Sequence, residues 1–231
     1  MKRSNSLVTA SYDDKEDTQK NRNNEELSDL SVKLKHFLQL GGEKMGDIWT
    51  LDAENLRTSR AMSKKGFKTH VSQLDDTVYD KMKKGMENTD LDIELHRGCI
   101  SDSMRNHYET SDSKVSFLNM DITGYKLDKL RKILPIFNKG KTCHSIISIT
   151  CAMRMKDNKS LYVDYKLQKK SRKNGKGSGL TFKKYLELLK DRMQEELPGS
   201  DIQTERIFIY RRDDDMKMDK RKNTQMAMCV F

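Results

Sequence analysis

The stretch Ser145–Gln168, SIISITCAMRMKDNKSLYVDYKLQ, constrains the fold more than any other part of the chain. Ile147, Ile149, Cys151, Met153 and Met155 fall on one face of an extended strand, and Ser148, Thr150, Ala152 and Arg154 on the other. A return arm repeats the pattern. Leu161, Val163, Tyr165 and Leu167 alternate with Tyr162, Asp164, Lys166 and Gln168. Period-2 alternation marks a strand with one apolar face, and KDNK between the arms supplies turn residues. The expectation is a β-hairpin with one face in the core and one in solvent.

The rest of the chain gives weaker signals. Leu27, Leu30, Leu34, Phe37 and Leu38 have helical spacing, with Glu25 and Glu26 ahead of them and Gly41 and Gly42 behind, as a helix start and stop should look. DIWTLDAENL reads as a strand or turn leading into a short helix. THVSQLDDTVYDKMKKGM reads as a helix carrying Val71, Leu74, Val78 and Met82. LDIELHRGCI and VSFLNMDITGY read as strands, and SDSMRNHYETSDSK as loop. KLDKLRKILP places Leu127, Leu130, Ile133 and Leu134 on one helical face and is expected to stop at Pro135. TFKKYLELLKDRMQEEL is an amphipathic helix, and TERIFIYRR a strand. YLEL within that helix fits its buried stripe better than a sorting signal. QMAMCVF suits a docking segment or a last strand equally.

Strands and helices do not alternate regularly in this reading. It therefore predicts an α+β fold, a small antiparallel sheet packed with helices on one side. The expected division is a disordered tail over 1–24, a single domain over 25–212 carrying a basic loop at 168–179, and a charged C-terminal tail over 213–231.

Composition bears on partners. Hydrophobic and charged residues each make up 35% of the 231, and the net charge of +10 points to anionic polymers or anionic membrane surfaces. The loop KKSRKNGKGSG brings Lys169, Lys170, Arg172, Lys173 and Lys176 together with helix-breaking Gly and Asn. Flexible positive charge of this kind suits phosphate contacts, or recognition by a nuclear import receptor. Lys217, Lys220, Arg221 and Lys222 form a second cluster, diluted by Asp213, Asp214 and Asp215. No secretion signal and no transmembrane segment are expected. Scattered Cys99, Cys143, Cys151 and Cys229 have no disulfide framework spacing, so a reducing compartment is expected. The CVF end is one residue short of a prenylation box.

Candidate chemistry is sparse. His96, Cys99, Cys143, His144 and Cys151 match no zinc-ligand spacing, so no metal or cofactor is expected. Asp164 and Lys166, with Asp157 or Asp121, could be assembled into a metal nuclease, but alternating charges are ordinary on a strand's polar face. NGKGSGLT lacks the order of a phosphate loop. None of the five histidines has a suggestive context, and no catalytic residues are assigned.

SIISITCAMRMKDNKSLYVDY, followed by a helix and a late strand, resembles the C-terminal half of rhabdovirus matrix proteins, particularly of plant-infecting, nucleus-replicating members. The likeness spans roughly residues 115–212 and rests on pattern. The resemblance implies a non-enzymatic viral matrix protein of the virion, host nucleus and inner membrane surface. Such a protein condenses the viral nucleocapsid and its RNA, contacts anionic membrane and self-associates. The alternative is a viral movement or accessory protein that binds nucleic acid without sequence preference.

Overall fold

The computed structural model describes residues 18–52, 54–120, 126–156, 160–162, 182–211 and 224–231. Helix α1 (Thr18–Leu40) leads into β1 (Asp47–Thr50), α2 (Arg57–Ser63), β2 (Thr69–Gln73), α3 (Asp76–Met86) and β3 (Ile93–Arg97). There follow α4 (Ile100–Thr110), β4 (Val115–Met120), α5 (Lys126–Gly140), β5 (Lys141–Lys156) and β6 (Ser160–Tyr162). The chain then forms α6 (Phe182–Glu196), β7 (Arg206–Arg211) and β8 (Thr224–Val230).

The strands make one sheet in the order β3-β2-β1-β4-β5-β8-β7, with β6 beside the end of β5. The pairings β3–β2, β2–β1, β1–β4 and β4–β5 are parallel. Those of β5 with β8, β8 with β7 and β5 with β6 are antiparallel. Side chains alternate across the sheet, so each strand feeds two cores. Ile48 and Phe117 pack with Leu27, Leu30 and Met62 of α1 and α2, while Val71 packs with Val78 and Met82 of α3. On the opposite face Trp49, Leu118 and Ile147 pack with Met104 of α4, Ile133 and Phe137 of α5, and Leu189 and Met193 of α6. Burial on both faces is what a parallel sheet requires.

This is a doubly wound α/β architecture, and it replaces the expected small antiparallel sheet with helices on one side. The sheet is mostly parallel, with helices on both faces. The expectation failed for three local reasons. Val71 was assigned to a helix that begins only at Asp76, where Asp75 caps it by accepting a hydrogen bond from the Val78 N–H. SDSMRNHYET is α4 and not loop. In β5, Ser148 and Thr150 are as fully buried as Ile149, so the polar half of the alternation marks a second buried face and not a solvated one.

Other boundaries also differ from the sequence reading. The first helix starts at Thr18, ahead of its leucine stripe, and α5 carries Pro135 inside it and runs on to Gly140. Of the expected hairpin the described residues hold three residue pairs, Arg154 with Tyr162 through Lys156 with Ser160; the turn at 157–159 and the arm beyond 162 lie outside the described residues. QMAMCVF supplies most of β8, inserted between β5 and β7. No helix among the described residues is long and apolar enough to cross a membrane.

Candidate functional site

Open α/β sheets take ligands outside the carboxyl ends of their strands, where the strand order reverses direction. Here that point lies between β1 and β4, since the chain winds out to β3 on one side and to β5 on the other. Beneath it runs a buried polar ladder. The Asn119 side-chain amide donates to Thr50 Oγ1 at 3.0 Å, and Ser148 Oγ donates to Asn119 Oδ1 at 2.9 Å. Two residues beyond Ser148, the buried Thr150 hydroxyl has no hydrogen-bond partner among the described residues. Unpaired buried polar groups are costly, and in native proteins each calls for a reason.

The turn from β1 to α2, Leu51–Leu56, contains no glycine. Its Asp52 carboxylate accepts from both the backbone N–H and the hydroxyl of Ser59, at 2.9 Å each, and so ties the turn to the first turn of α2. Leu56 is buried and left-handed, with φ 51°. For a residue with a side chain that conformation costs about 1–2 kcal/mol. Glu54 receives Lys81 of α3 at 2.9 Å. At the end of β2, the Asp75 N–H donates to Gln73 Oε1 at 3.0 Å. The rim is therefore made of carboxylate, amide and hydroxyl groups on a strained turn.

A second constellation runs from Asp47 at the start of β1 across β2 to His96 of β3, on the face covered by α4. Parallel register sets Trp49 beside His70, His70 beside Glu94, and Ser72 beside His96. Trp49 stacks on His70 at 4.6 Å and on His96 at 4.8 Å between ring centroids, and its indole N–H donates to the Tyr108 hydroxyl at 2.9 Å. His107, in the last turn of α4, completes the cluster with its ring 4.5 Å from that of His70.

The polar atoms of the cluster converge. Asp47 Oδ2 lies 3.2 Å from His70 Nε2 and 3.3 Å from His107 Nε2. His107 Nε2 is also 2.8 Å from Ser113 Oγ. On its other edge, His70 Nδ1 is 2.9 Å from His96 Nε2 and 3.6 Å from Glu94 Oε2. Burial and the neighbouring His70 push the His96 pKa down to about 4, so its imidazole is neutral at pH 7. Burial and His70 also lower His107, against the pull of Asp47. Burial raises the Asp47 and Glu94 carboxyls, but His70, Ser113 and Lys68 at Asp47, and His70, His96 and Lys68 at Glu94, outweigh it and both end below their ordinary values.

The residues singled out from sequence fare differently. Lys169, Lys170, Arg172, Lys173 and Lys176 lie outside the described residues, as do Lys217, Lys220, Arg221 and Lys222 and the carboxylates Asp121, Asp157 and Asp164. His96, Cys99, Cys143 and His144 are not brought together as one ligand set. The Cys99 thiol donates to Asp102 at 2.8 Å, and the His144 ring meets the Phe37 ring edge-on. Cys143 is exposed, and its N–H donates to Glu43. The fold instead joins His96 to His70 and His107, which the sequence left without context. The parallel register sets His70 and His96 close, and the packing of α4 on the sheet brings His107 to them, so the residues come from three separate elements.

Comparison with known proteins adds the following. No family model matches the chain, and no curated protein does. Solved structures do resemble it in overall path. The CcbJ methyltransferase from Streptomyces caelestis is 8% identical with a TM-score of 0.49, over 89% of this chain and 88% of that one. The precorrin 8w decarboxylase of Methanobacterium thermoautotrophicum is 10% identical with a TM-score of 0.46, again over 89% and 88%. The O-methyltransferase from Bacillus cereus in complex with SAH is 10% identical with a TM-score of 0.44, over 94% and 92%.

The mostly parallel sheet overturns the resemblance to rhabdovirus matrix proteins, and with it falls the basis for the non-enzymatic, virion-structural role and for the movement-protein alternative drawn beside it. The resemblance rested on an antiparallel hairpin, helix and strand. Those elements form the antiparallel end of a mostly parallel sheet.

Proposed function

We propose that the chain is an enzyme of methyl transfer, binding a phosphate-free nucleoside donor of the S-adenosylmethionine type in the crevice between β1 and β4. The carrying observation is the switch point itself, with a polar ladder beneath it that runs to Ser148 of β5, two residues before the unpaired Thr150 hydroxyl. The rim supports the choice of ligand. A dinucleotide fold places glycines in its first βα turn so that backbone can approach pyrophosphate. Leu51–Leu56 has none, and it carries Asp52 and Glu54 instead. Carboxylates repel phosphate, but they suit ribose hydroxyls and positive charge. The donors present therefore fit such a group. When bound, it supplies a methyl carbon on positively charged sulfur. The residues of this chain would hold it and turn it toward an acceptor.

The methyl acceptor in this reading is a nucleic acid. The support is the net charge of +10 and the two basic runs, Lys169 to Lys176 and Lys217 to Lys222. Runs of basic side chains can hold a phosphate backbone without reading sequence.

Calorimetric titration with S-adenosylhomocysteine tests the donor site. Micromolar binding is expected, weakened about tenfold or more in Asp52→Asn, with NADH binding much more poorly. A folded protein that fails to bind the probe at millimolar concentration, or that prefers NADH, would overturn the reading.

A further inference from the structure

We propose that Asp47, His70 and His107 form a binding site for a divalent transition-metal ion of the zinc class, at the opposite end of β1 from the crevice. The three ligand atoms, Asp47 Oδ2, His70 Nε2 and His107 Nε2, lie within 4.8 Å of one another. Two of the separations, 3.2 and 3.3 Å, share the carboxylate oxygen. A tetrahedral ion with bonds of about 2.0 Å has ligand atoms about 3.3 Å apart along each edge. Two imidazoles and one carboxylate are the ligand types that zinc takes at sites keeping an open position.

A second observation points the same way. The His70 side chain is fully buried, yet its Nε2 makes no hydrogen bond of good geometry, even with Asp47 Oδ2 at 3.2 Å. An imidazole nitrogen aimed at a carboxylate but out of line for a proton is suited to a cation between them. The far side of the ring carries the support that metal-bound histidines have. His70 Nδ1 meets His96 Nε2 at 2.9 Å, with Glu94 behind at 3.6 Å, and Trp49 is stacked against both rings. Such outer contacts fix the tautomer and the ring orientation. The alternative trio, His70 Nδ1 with Glu94 and His96, suits a metal less well. Its 2.9 Å nitrogen–nitrogen contact is already a hydrogen bond and is shorter than a tetrahedral edge. His107 Nε2 also meets Ser113 Oγ at 2.8 Å, a hydrogen bond that a bound ion would replace. The His107 and Asp47 side chains keep 12% and 11% of their surface exposed, so the site is not sealed from solvent.

The test uses the full chain, stripped with a chelator and titrated with Zn²⁺ against a chromophoric competitor. One ion per chain is expected, with a change in the fluorescence of Trp49, the only tryptophan. Co²⁺ should give the visible bands of a nitrogen–oxygen tetrahedral site, without the near-ultraviolet band of thiolate ligation. His107→Ala and Asp47→Asn should each weaken binding at least about 100-fold, and His96→Gln about tenfold. Cys143→Ser and His144→Ala should leave it unchanged. His107 lies at the end of α4, so its variant should keep the wild-type circular dichroism even if a His70 variant fails to fold. Wild-type binding weaker than about 100 µM would overturn the site. So would a thiolate band, or unchanged affinity in folded His107→Ala. None of these readouts involves a methyl donor, so the metal site and the proposed activity stand or fall separately.

Discussion

At its amino end β1 meets side chains from β2, β3, α4 and the lead into β4. At its carboxyl end it meets the Asn119 ladder from β4 and then the turn that follows it, whose carboxylate contact is local. Asp47 draws on His70 and His107, 23 and 60 positions away, whereas Asp52 binds Ser59, seven positions away. The first arrangement exists only when the sheet is assembled. The second is a local cap that α2 can make as it forms. One four-residue strand thus carries a long-range constellation at one end and a short-range one at the other, about 10 Å apart at the usual rise per residue. If the two ends are independent, damage at one should spare the other, and each of the following variants tests that separation.

Trp49→Ala should have the largest effect. The indole is fully buried and stacked on two imidazoles, and its loss should cost about 3–5 kcal/mol in urea denaturation. Gly46→Ala comes next. A Cβ there would stand 2.3 Å from the Lys114 carbonyl oxygen, a backbone atom that cannot swing aside. About 2–3 kcal/mol is expected, along with displaced Asp47 and weakened Zn²⁺ binding, while S-adenosylhomocysteine affinity in the folded fraction stays near wild type. Equal losses of both affinities would mean that β1 transmits strain from end to end. Asn119→Ala reverses the test. It strands Thr50 and Ser148 beneath the crevice at about 1–3 kcal/mol and should lower donor affinity while sparing the metal.

The smallest effect belongs to Glu43, just ahead of β1. Hydrogen bonds from Cys143 and then Lys114 hold its pKa at about 2, against 4.5 for the free side chain. A carboxyl with a lowered folded pKa adds stability that is fully present above about pH 4.5 and is lost as pH falls toward 2. The contact is at the surface and solvent-screened, so its worth is under about 1 kcal/mol. Thermal melts of wild type should therefore fall more steeply between pH 4.5 and 2 than those of Glu43→Gln. Parallel curves would remove this contact from the stability of the amino end.

The same contrast governs what could be read in advance. DIWT followed by a short helix was legible because the strand and turn are contiguous, and α1 because its leucines repeat along one face. Val71 was misassigned because a five-residue strand runs almost directly into α3, and the apolar positions of the two merge into one apparent helical stripe. Ser148 and Thr150 misled for a different reason. Polar residues on alternate positions signal solvent only where no neighbouring element covers that face, and here α1 and a side-chain ladder from Asn119 do so. The histidine cluster was illegible because strand order, and not spacing, brings its members together.

The placement of β8 has a kinetic consequence. From Ser148 to Arg154, β5 pairs with Val230 back to Thr224, and among the described residues β7 pairs with β8 alone. A chain that has already wound β1 to β5 thus still presents an open strand edge that ends 68 positions ahead of the segment that closes it. Such an edge is a template for any other chain, and closing it across so long a loop is slow. During refolding the concentration-dependent hazard should lie in that interval, and a synthetic peptide spanning Thr224–Phe231, added in excess, should suppress aggregation by occupying the edge first.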